Sequence, residues 1–204
     1  MVGVVEKLAH VTRSAFTTPG HAIVLLGEPT NELGASEYLA RIHGVTAGAP
    51  PACDLARERA TIDALLEAIA AGHVANAHDC AEGGLAVALA ECCVGDREKP
   101  AGAEVDLAAW RSLAPRAALF GEAQARIIVG TTTPDAVIAI AKRHGVPARR
   151  IGTVRPPNEF IIRGAGPDLK ATIDRLHRAF HGAIPSIMAR ATGAAAAAPE
   201  PAVV

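Results

Sequence analysis

The sequence has 204 residues and a net charge of −1, and half of its residues are hydrophobic although only 3% are aromatic. This length allows one domain with a sizeable core, which we expect to consist of Val, Ile, Leu and Ala. The near-neutral charge gives no reason to expect a nucleic-acid partner. No apolar run approaches the roughly 20 residues that span a membrane, and the first residues do not resemble a signal peptide, so we expect a cytoplasmic protein.

The cysteines carry no recognisable metal or redox motif. None of them belongs to a CxxC pair, and their spacing lacks the pattern of a metal site. We therefore predict reduced, mostly buried thiols. The positions concerned are Cys53, Cys80, Cys92 and Cys93.

The first part of the chain predicts two strands and two helices. Residues 22–26 (AIVLL) form a short apolar run that is typical of a buried strand, and a second strand is predicted at 74–78. Residues 36–42 predict a short helix closed by Gly44, and Asp54 suits the N-cap of a long helix. Five residues at helical spacing predict the core-facing stripe of that long helix: Leu55, Ile62, Leu65, Leu66 and Ile69.

The second part of the chain continues the alternation of helices and strands. The almost wholly apolar helix predicted at 84–93 should be packed on several sides. Two more helices are predicted, one from Pro134 to about His144 and one from an Asp168 cap to about His181. Strands are predicted at 104–107 as a sheet edge, at 125–130, and as a hairpin-like pair at 151–154 and 159–162. This order of elements favours a layered α/β fold.

Three regions follow from these elements. We expect residues 1–20 to be the tail of a preceding and mostly absent domain, because they do not form an obvious unit. Residues 21–188 should form the α/β domain. Residues 189–204 are rich in Ala and Pro, and we expect them to be disordered.

A polar cluster stands at the mouth of the apolar helix, in the stretch AHDCAEGGLAVALAECC (77–93). Gly83 and Gly84 at a helix N-terminus would let a phosphate approach the backbone, where free N–H groups favour an anion. Asp79 and Glu82 argue against a bare phosphate and suit a Mg²⁺-bridged phosphate, a ribose hydroxyl or a capping role. The alternative is a tight turn that binds nothing, and spacing alone favours that turn.

A second polar segment precedes the strand predicted at 125–130. Alternation along an extended segment would place Glu122, Gln124 and Arg126 on one face, which could line a cleft. The alternative is a surface edge with a weak Glu–Arg ion pair. The residue types alone favour the surface edge.

A third candidate is the helix start that contains Gly34, Ser36 and Glu37, for which a plain helix cap is the simpler interpretation. The histidines are scattered, and only His78, beside Asp79, lies near other candidate groups. No serine sits in a nucleophile elbow and no Cys–His pairing stands out. The sequence therefore shows no self-contained catalytic constellation.

Three motifs occur in the same order in the phosphoribosylformylglycinamidine synthase family: ELGASEYL (32–39), AHDCAEGGLAVALAECC (77–93) and LFGEAQARIIVG (119–130). Over roughly residues 2 to 185, the sequence resembles the C-terminal part of the large synthetase subunit of this family. VGVVEKL (2–8) is similar to the segment that closes the preceding domain there. The resemblance implies a layered α/β domain with a mixed sheet, of the C-terminal type found in the aminoimidazole ribonucleotide synthetase superfamily.

The resemblance also implies an activity. The family converts formylglycinamide ribonucleotide to its amidine with ATP, Mg²⁺ and glutamine-derived ammonia. Its partners are the upstream synthetase domains, a glutaminase subunit and a small accessory subunit. The family's general base, ATP lysine and metal-binding acids lie upstream of the matched region, so no catalytic or metal residue is placed on this chain.

What the resemblance carries over is a phosphate- or nucleotide-binding wall that faces an inter-domain cleft. Its residues would be Asp79, Glu82, Gly83 and Gly84, with Glu122 and Arg126 near them. Cys80 and Ala81 replace the Val-Ser that is usual in the motif, which puts side-chain contacts in doubt but not backbone contacts. We therefore expect a fragment or split-gene product that is inactive alone; the alternative is a non-catalytic nucleotide-binding or assembly module.

Overall fold

The computed structural model describes residues 4–5 and 7–191. Its centre is a seven-stranded mixed sheet with the order β2-β4-β1-β5-β3-β6-β7. The strands are β1 (Ala22–Leu26), β2 (Asn76–Asp79), β3 (Gly102–Asp106), β4 (Ile127–Thr131), β5 (Ala148–Arg155), β6 (Glu159–Arg163) and β7 (Leu169–Thr172). Strands β3 and β6 pair in parallel, and the other neighbouring strands pair antiparallel. The predicted α/β class with a mixed sheet is confirmed.

The described residues also contain six α-helices. They are α1 (Glu37–His43), α2 (Leu55–Ala70), α3 (Gly84–Val94), α4 (Pro115–Phe120), α5 (Pro134–Arg143) and α6 (Ile173–Ala191). The caps predicted for α1 and α2 are confirmed: Gly44 ends α1 with a φ of 64°, and the Asp54 carboxylate accepts the N–H groups of Ala56 and Arg57. None of these helices is long and apolar enough to cross a membrane.

Helices cover both faces of the sheet. Strand β1 shows this directly, because all five of its residues are buried. Ile23 and Leu25 belong to a core shared with α3, α4 and α6, whereas Val24 and Leu26 belong to a second core shared with α2 and α5. Helix α3 lies in the larger core with eight buried residues, so the prediction that it is packed on several sides is confirmed.

The predicted core-facing stripe of α2 is wrong in part. Leu55, Ile62 and Leu66 are 78%, 47% and 57% exposed, and the residues buried on this helix are Thr61, Ala64 and Ala68. The reason is close packing of α2 beside α5 and over the sheet, which only small side chains permit. An Ala-rich helix has two faces that could pack against the core, one with larger apolar side chains and one with small ones. A prediction from hydrophobicity alone chooses the face with the larger side chains.

The hairpin predicted for β5 and β6 is also wrong. Strand β3 lies between them and pairs with both, so β3 is an interior strand rather than the predicted edge. Gly102 opens β3 where a Cβ atom would lie 2.3 Å from the Pro156 carbonyl oxygen. The strand that separates β5 from β6 therefore comes from 50 residues upstream, which local sequence cannot reveal.

The C-terminal helix differs from its prediction as well. Asp168 precedes strand β7, and its carboxylate lies 3.6 Å from Arg163 and 3.4 Å from Lys170 instead of capping a helix. Helix α6 begins at Ile173 and continues to Ala191. The first residues of the predicted disordered tail, 189–191, are therefore helical, and 192–204 lie outside the described residues.

The segment before β1 contributes to the core. Phe16 is 2% exposed, and its N–H donates to the carbonyl oxygen of Cys92 at 2.7 Å. The boundary expected at residue 20 stays a prediction, and residues 1–3 and 6 lie outside the described part.

Of the cysteines, only Cys53 is exposed. Burial raises the pKa of the Cys80 and Cys93 thiols to about 12 and that of Cys92 well above its usual value.

Candidate functional site

The turn between β2 and α3 occupies residues 80–83 and is tightly folded. The Cys80 N–H donates to the Arg126 carbonyl at 2.9 Å, and the Gly84 N–H donates to the Ala81 carbonyl at 3.1 Å. Gly83 and Gly84 have φ angles of 79° and 67°, in the left-handed region that favours glycine. The backbone of the turn therefore requires both glycines whether or not a ligand binds.

The glycines also permit a close approach, but by the protein's own chain. A Cβ atom on Gly84 would lie 2.5 Å from the Gly121 carbonyl oxygen and 2.8 Å from the Phe120 carbonyl carbon. On Gly83 it would lie 2.6 Å from a methyl group of Val87. Helix α3 thus packs directly against the chain that leaves α4, and the tight-turn interpretation accounts for the glycine pair.

Glu122 occupies the position in which sequence reasoning expected an anion. Its Oε1 atom accepts the Gly83 N–H at 2.8 Å and the Glu37 N–H at 2.9 Å. One carboxylate therefore joins the N-termini of α1 and α3. Both helix starts were candidates in the sequence, but their link to each other was missed because 39 and 85 residues separate Glu122 from its two donors.

Arg126 is buried behind this carboxylate and is 2% exposed. Its Nε donates to the Ala123 carbonyl at 2.9 Å and its Nη2 to the Gly121 carbonyl at 2.5 Å. Burial lowers the pKa of its guanidinium. Its Nη1 has no hydrogen-bond partner among the described residues.

The polar face predicted for residues 122–126 does not form. Ala125 has a φ of 53°, which bends the segment, so Glu122 is half-buried, Gln124 is exposed and Arg126 is buried. Within the described chain, no ion pair joins Glu122 to Arg126. The prediction fails because it assumed an extended backbone.

The two acids of the Gly-rich motif point to solvent. The side chain of Asp79 is 75% exposed, and Glu82 is exposed as well. The His78 ring lies between two acids, with Nε2 at 3.3 Å from a Glu91 carboxylate oxygen and Nδ1 at 3.4 Å from an Asp79 carboxylate oxygen. Among residues 4–5 and 7–191, no group of three or more His, Cys, Asp or Glu is arranged to hold a metal ion.

A mostly apolar groove of about 850 Å³ opens beside the Gly83 turn. One wall belongs to α1, another to α3, and α4 supplies the third. Tyr38 and Phe120 stack inside it with their ring centroids 5.0 Å apart and 16° between the ring planes. Arg116 and the ion-paired Arg41 add positive charge to the lining. A concave apolar surface with a few polar groups is the usual form of a binding site.

The structure thus brings Gly83, Glu122 and Glu37 together and places Arg126 behind them. Asp79 and Glu82 lie on the outer side of the same turn. The groove was missed by sequence reasoning, and α4, which forms one of its walls, was not predicted. Helix α4 is only six residues long, and an Ala-rich segment of that length gives no periodic signal.

Comparison with known proteins assigns the family. The model described as "AIR synthase related protein, C-terminal domain" matches residues 18–164, and the chain belongs to this family. Over 210 residues it is 40% identical to phosphoribosylformylglycinamidine synthase subunit PurL of Anaeromyxobacter dehalogenans. That alignment covers 98% of this chain but 27% of the relative, so the chain spans only about a quarter of the length of such relatives.

Solved structures agree on the fold. Thermotoga maritima PurL complexed with FGAR superposes with a TM-score of 0.70 at 22% identity, covering 83% of this chain and 30% of that protein. The same protein complexed with ATP gives a TM-score of 0.66 at 22% identity, covering 83% and 28%. At this identity the likeness concerns the fold alone.

Proposed function

We propose that the chain is the C-terminal portion of an ATP-dependent ligase of purine biosynthesis. The ligase would convert formylglycinamide ribonucleotide, ATP and glutamine-derived ammonia to formylglycinamidine ribonucleotide. The observation that carries this proposal is the 40% identity to a PurL subunit over 98% of the chain. Because the chain covers 27% of that relative, the activity would belong to an assembly with the polypeptide that this chain lacks.

In this proposal the chain contributes one wall of the inter-domain cleft in which the reaction takes place. In this reaction the substrate's amide oxygen is phosphorylated and then displaced by ammonia, which requires positioned reactants in a closed site. Asp79 and Glu82 are exposed and free to meet a ligand or a metal-bridged phosphate. Gly83 lines the groove beside them and Gly84 lets α3 pack against the chain at Phe120 and Gly121, while Glu122 and Arg126 would support the turn from behind.

ATP and Mg²⁺ would be held mainly by residues outside this chain. The described residues offer no group of three acidic, His or Cys side chains that could hold a metal. The base and the ATP-binding lysine would come from the upstream domains, and ammonia from a glutaminase subunit joined by a small accessory subunit, all in the cytoplasm.

Reconstitution tests the proposal. A. dehalogenans PurL lacking the segment aligned with this chain would be purified, checked for folding by circular dichroism, and assayed with ATP, Mg²⁺, formylglycinamide ribonucleotide and ammonium chloride. We expect no amidation by either polypeptide alone and ATP-dependent amidation when both are mixed.

A matched pair of glycine variants controls this assay. Gly44→Ala changes a glycine at a φ of 64° with no heavy atom within 4 Å of the added methyl group, so it should still complement. Gly84→Asp places a side chain against the backbone at Phe120 and Gly121 and should not. A folded upstream polypeptide that gains no activity from the unmodified chain would overturn the proposal.

A second candidate is a non-catalytic nucleotide-binding or assembly module. The assembly role is favoured by the internal acceptors of the turn, since the Gly83 N–H donates to Glu122 and the Gly84 N–H donates to the Ala81 carbonyl. Calorimetric titration of the reconstituted pair with ATP and with ADP, each with and without Mg²⁺, separates the two. Nucleotide binding without amidation would support the module, and amidation would exclude it.

A further inference from the structure

The N-termini of α1 and α3 meet at a single atom. Glu122 Oε1 accepts the first N–H of α1, from Glu37, and the N–H of the α3 cap residue, Gly83. Hydrogen bonds to an ionised acceptor are roughly twice as strong as neutral ones. None of the seven residues of α1 is buried, and besides this bond the helix is held by its Ser36 cap and by Tyr38, which stacks on Phe120.

The carboxylate is itself held in place from two sides. Behind it, the buried Arg126 guanidinium donates to the carbonyl groups of Gly121 and Ala123, the two residues that flank Glu122. Next along the chain, the Ala125 N–H donates to a Glu58 carboxylate oxygen on α2 at 2.7 Å. The backbone that carries Glu122 is therefore fixed in part by hydrogen bonds that involve neither α1 nor α3.

These contacts bear directly on the groove. Helix α1 lines it with Glu37, Tyr38, Arg41 and Ile42, and the α3 side lines it with Gly83 and Val87. Both walls begin at residues whose N–H groups bind Glu122. We infer that Glu122 is a positioning residue that couples the α1 wall of the groove to the Gly83 turn, so that a disturbance of one helix start is transmitted to the other.

The inference rests on the hydrogen bonds and not on the proposed ligase activity. It predicts a specific coupling. Ser36 caps α1 by accepting the Leu39 N–H and donates its hydroxyl to the Leu33 carbonyl, so neither of these hydrogen bonds involves Gly83. Loss of the Ser36 hydroxyl should nevertheless loosen the Gly83 N–H, and it should do so only while Glu122 is present.

Native-state hydrogen exchange followed by NMR on the ¹⁵N-labelled chain tests this coupling. Ser36→Ala should lower the protection of the Gly83 amide by about fivefold, the factor that a typical lost helix cap supports. Glu122→Ala should lower the protection of both the Gly83 and Glu37 amides by about tenfold or more. In the Glu122→Ala background, Ser36→Ala should leave the Gly83 amide unchanged.

Two controls keep the test specific. The amide of Ile128 in β4 reports global unfolding, so the effect at Gly83 must exceed the effect there. Glu82→Gln removes a neighbouring carboxylate charge and should affect neither amide after correction for intrinsic exchange rates.

If Glu122→Ala does not fold, Glu122→Gln replaces it. Glu122→Gln should give intermediate protection of the Gly83 and Glu37 amides, because its Oε1 is a neutral acceptor. In this background Ser36→Ala should change the Gly83 amide less than it does in the unmodified chain. The inference is overturned if Ser36→Ala changes the Gly83 amide equally in the two backgrounds.

Discussion

Helices α1 and α3 begin in different ways, although both were recognised from their sequences. Helix α1 carries its own cap, because the Ser36 hydroxyl accepts the Leu39 N–H at 3.4 Å. Helix α3 begins at Gly83 in the left-handed conformation and has no side-chain cap of its own. It depends instead on Glu122, 39 residues away.

Burial explains the difference. Eight of the eleven residues of α3 are buried, and its first turn touches the backbone at Phe120 and Gly121. A capping side chain at position 83 would collide with Val87. Helix α1 has no buried residue of its own, and its cap residue Ser36 carries a side chain that reaches the Leu39 N–H. The comparison shows that α3, which has no capping side chain, relies on an acceptor from a distant segment, whereas α1 adds the same Glu122 acceptor to a serine cap of its own.

The largest effect is expected where α3 touches the α4 exit. Gly84→Ala should lower the free energy of unfolding by about 2–4 kcal/mol, because the methyl group combines an unfavourable φ with overlap against fixed backbone. Gly44→Ala has a similar φ but open space around it, so it should cost about 1 kcal/mol. Urea unfolding measures both. Equal losses would show that the close approach at Gly84 does not matter.

The second-largest loss of stability is expected on substitution of Glu122, which accepts N–H groups from the starts of α1 and α3. Glu122→Ala should destabilise the chain by about 2–3 kcal/mol, because two N–H groups lose a charged acceptor. Glu122→Gln keeps the shape and should lose roughly half as much. The two urea midpoints should therefore fall in that order. A loss of stability no larger than that of Ser36→Ala would contradict the role given to Glu122.

A smaller loss of stability is expected on substitution of Ser36, the cap residue of α1. Ser36 is 2% exposed, and Ser36→Ala should cost about 1 kcal/mol, typical of a lost serine cap. Ser36→Thr keeps a hydroxyl that can accept the Leu39 N–H and donate to the Leu33 carbonyl, so it should recover part of the loss. Thermal unfolding of the three proteins at one pH measures the series.

The smallest effect is a pH dependence beside α1. Hydrogen bonds from the Ala52 N–H and the Thr30 hydroxyl lower the pKa of the Glu32 carboxyl. A carboxyl with a lowered folded-state pKa stabilises the fold above its unfolded pKa of about 4.3 and loses that contribution as the pH falls through the folded value. Glu32→Gln should therefore flatten the stability curve below about pH 4.5, whereas Glu28→Gln, on an exposed side chain, should not. Parallel curves for the two variants would contradict this.

Much of the fold could be predicted because its signals are local. Strand β1, the Asp54 cap of α2 and the Gly44 end of α1 each follow from a few consecutive residues, and each is confirmed. The insertion of β3 between β5 and β6 could not be predicted, since strand order depends on pairing across 50 residues. The inner face of α2 was mistaken because its small residues, and not its leucines, suit the tight packing.

The same distinction between local and distant signals applies to the candidate site. The glycine pair and its adjoining acids could be found from sequence, because the turn requires glycine locally. The acceptor for the Gly83 N–H at the start of α3 could not be predicted, because Glu122 lies in a different sequence motif. The bend at Ala125 removes Arg126 from the predicted polar face. This bend could not be predicted, because it occurs at an alanine and not at a glycine or a proline.

We propose that the Gly83 turn and its groove form one wall of a site that a larger polypeptide completes. The most direct test is an NMR titration of the ¹⁵N-labelled chain with A. dehalogenans PurL lacking the aligned segment. We predict that the strongest amide shifts map to residues 79–84 and to the α1 and α4 walls of the groove. Shifts confined to other surfaces, such as the exposed residues of α2, with a silent Gly83 turn would contradict the account.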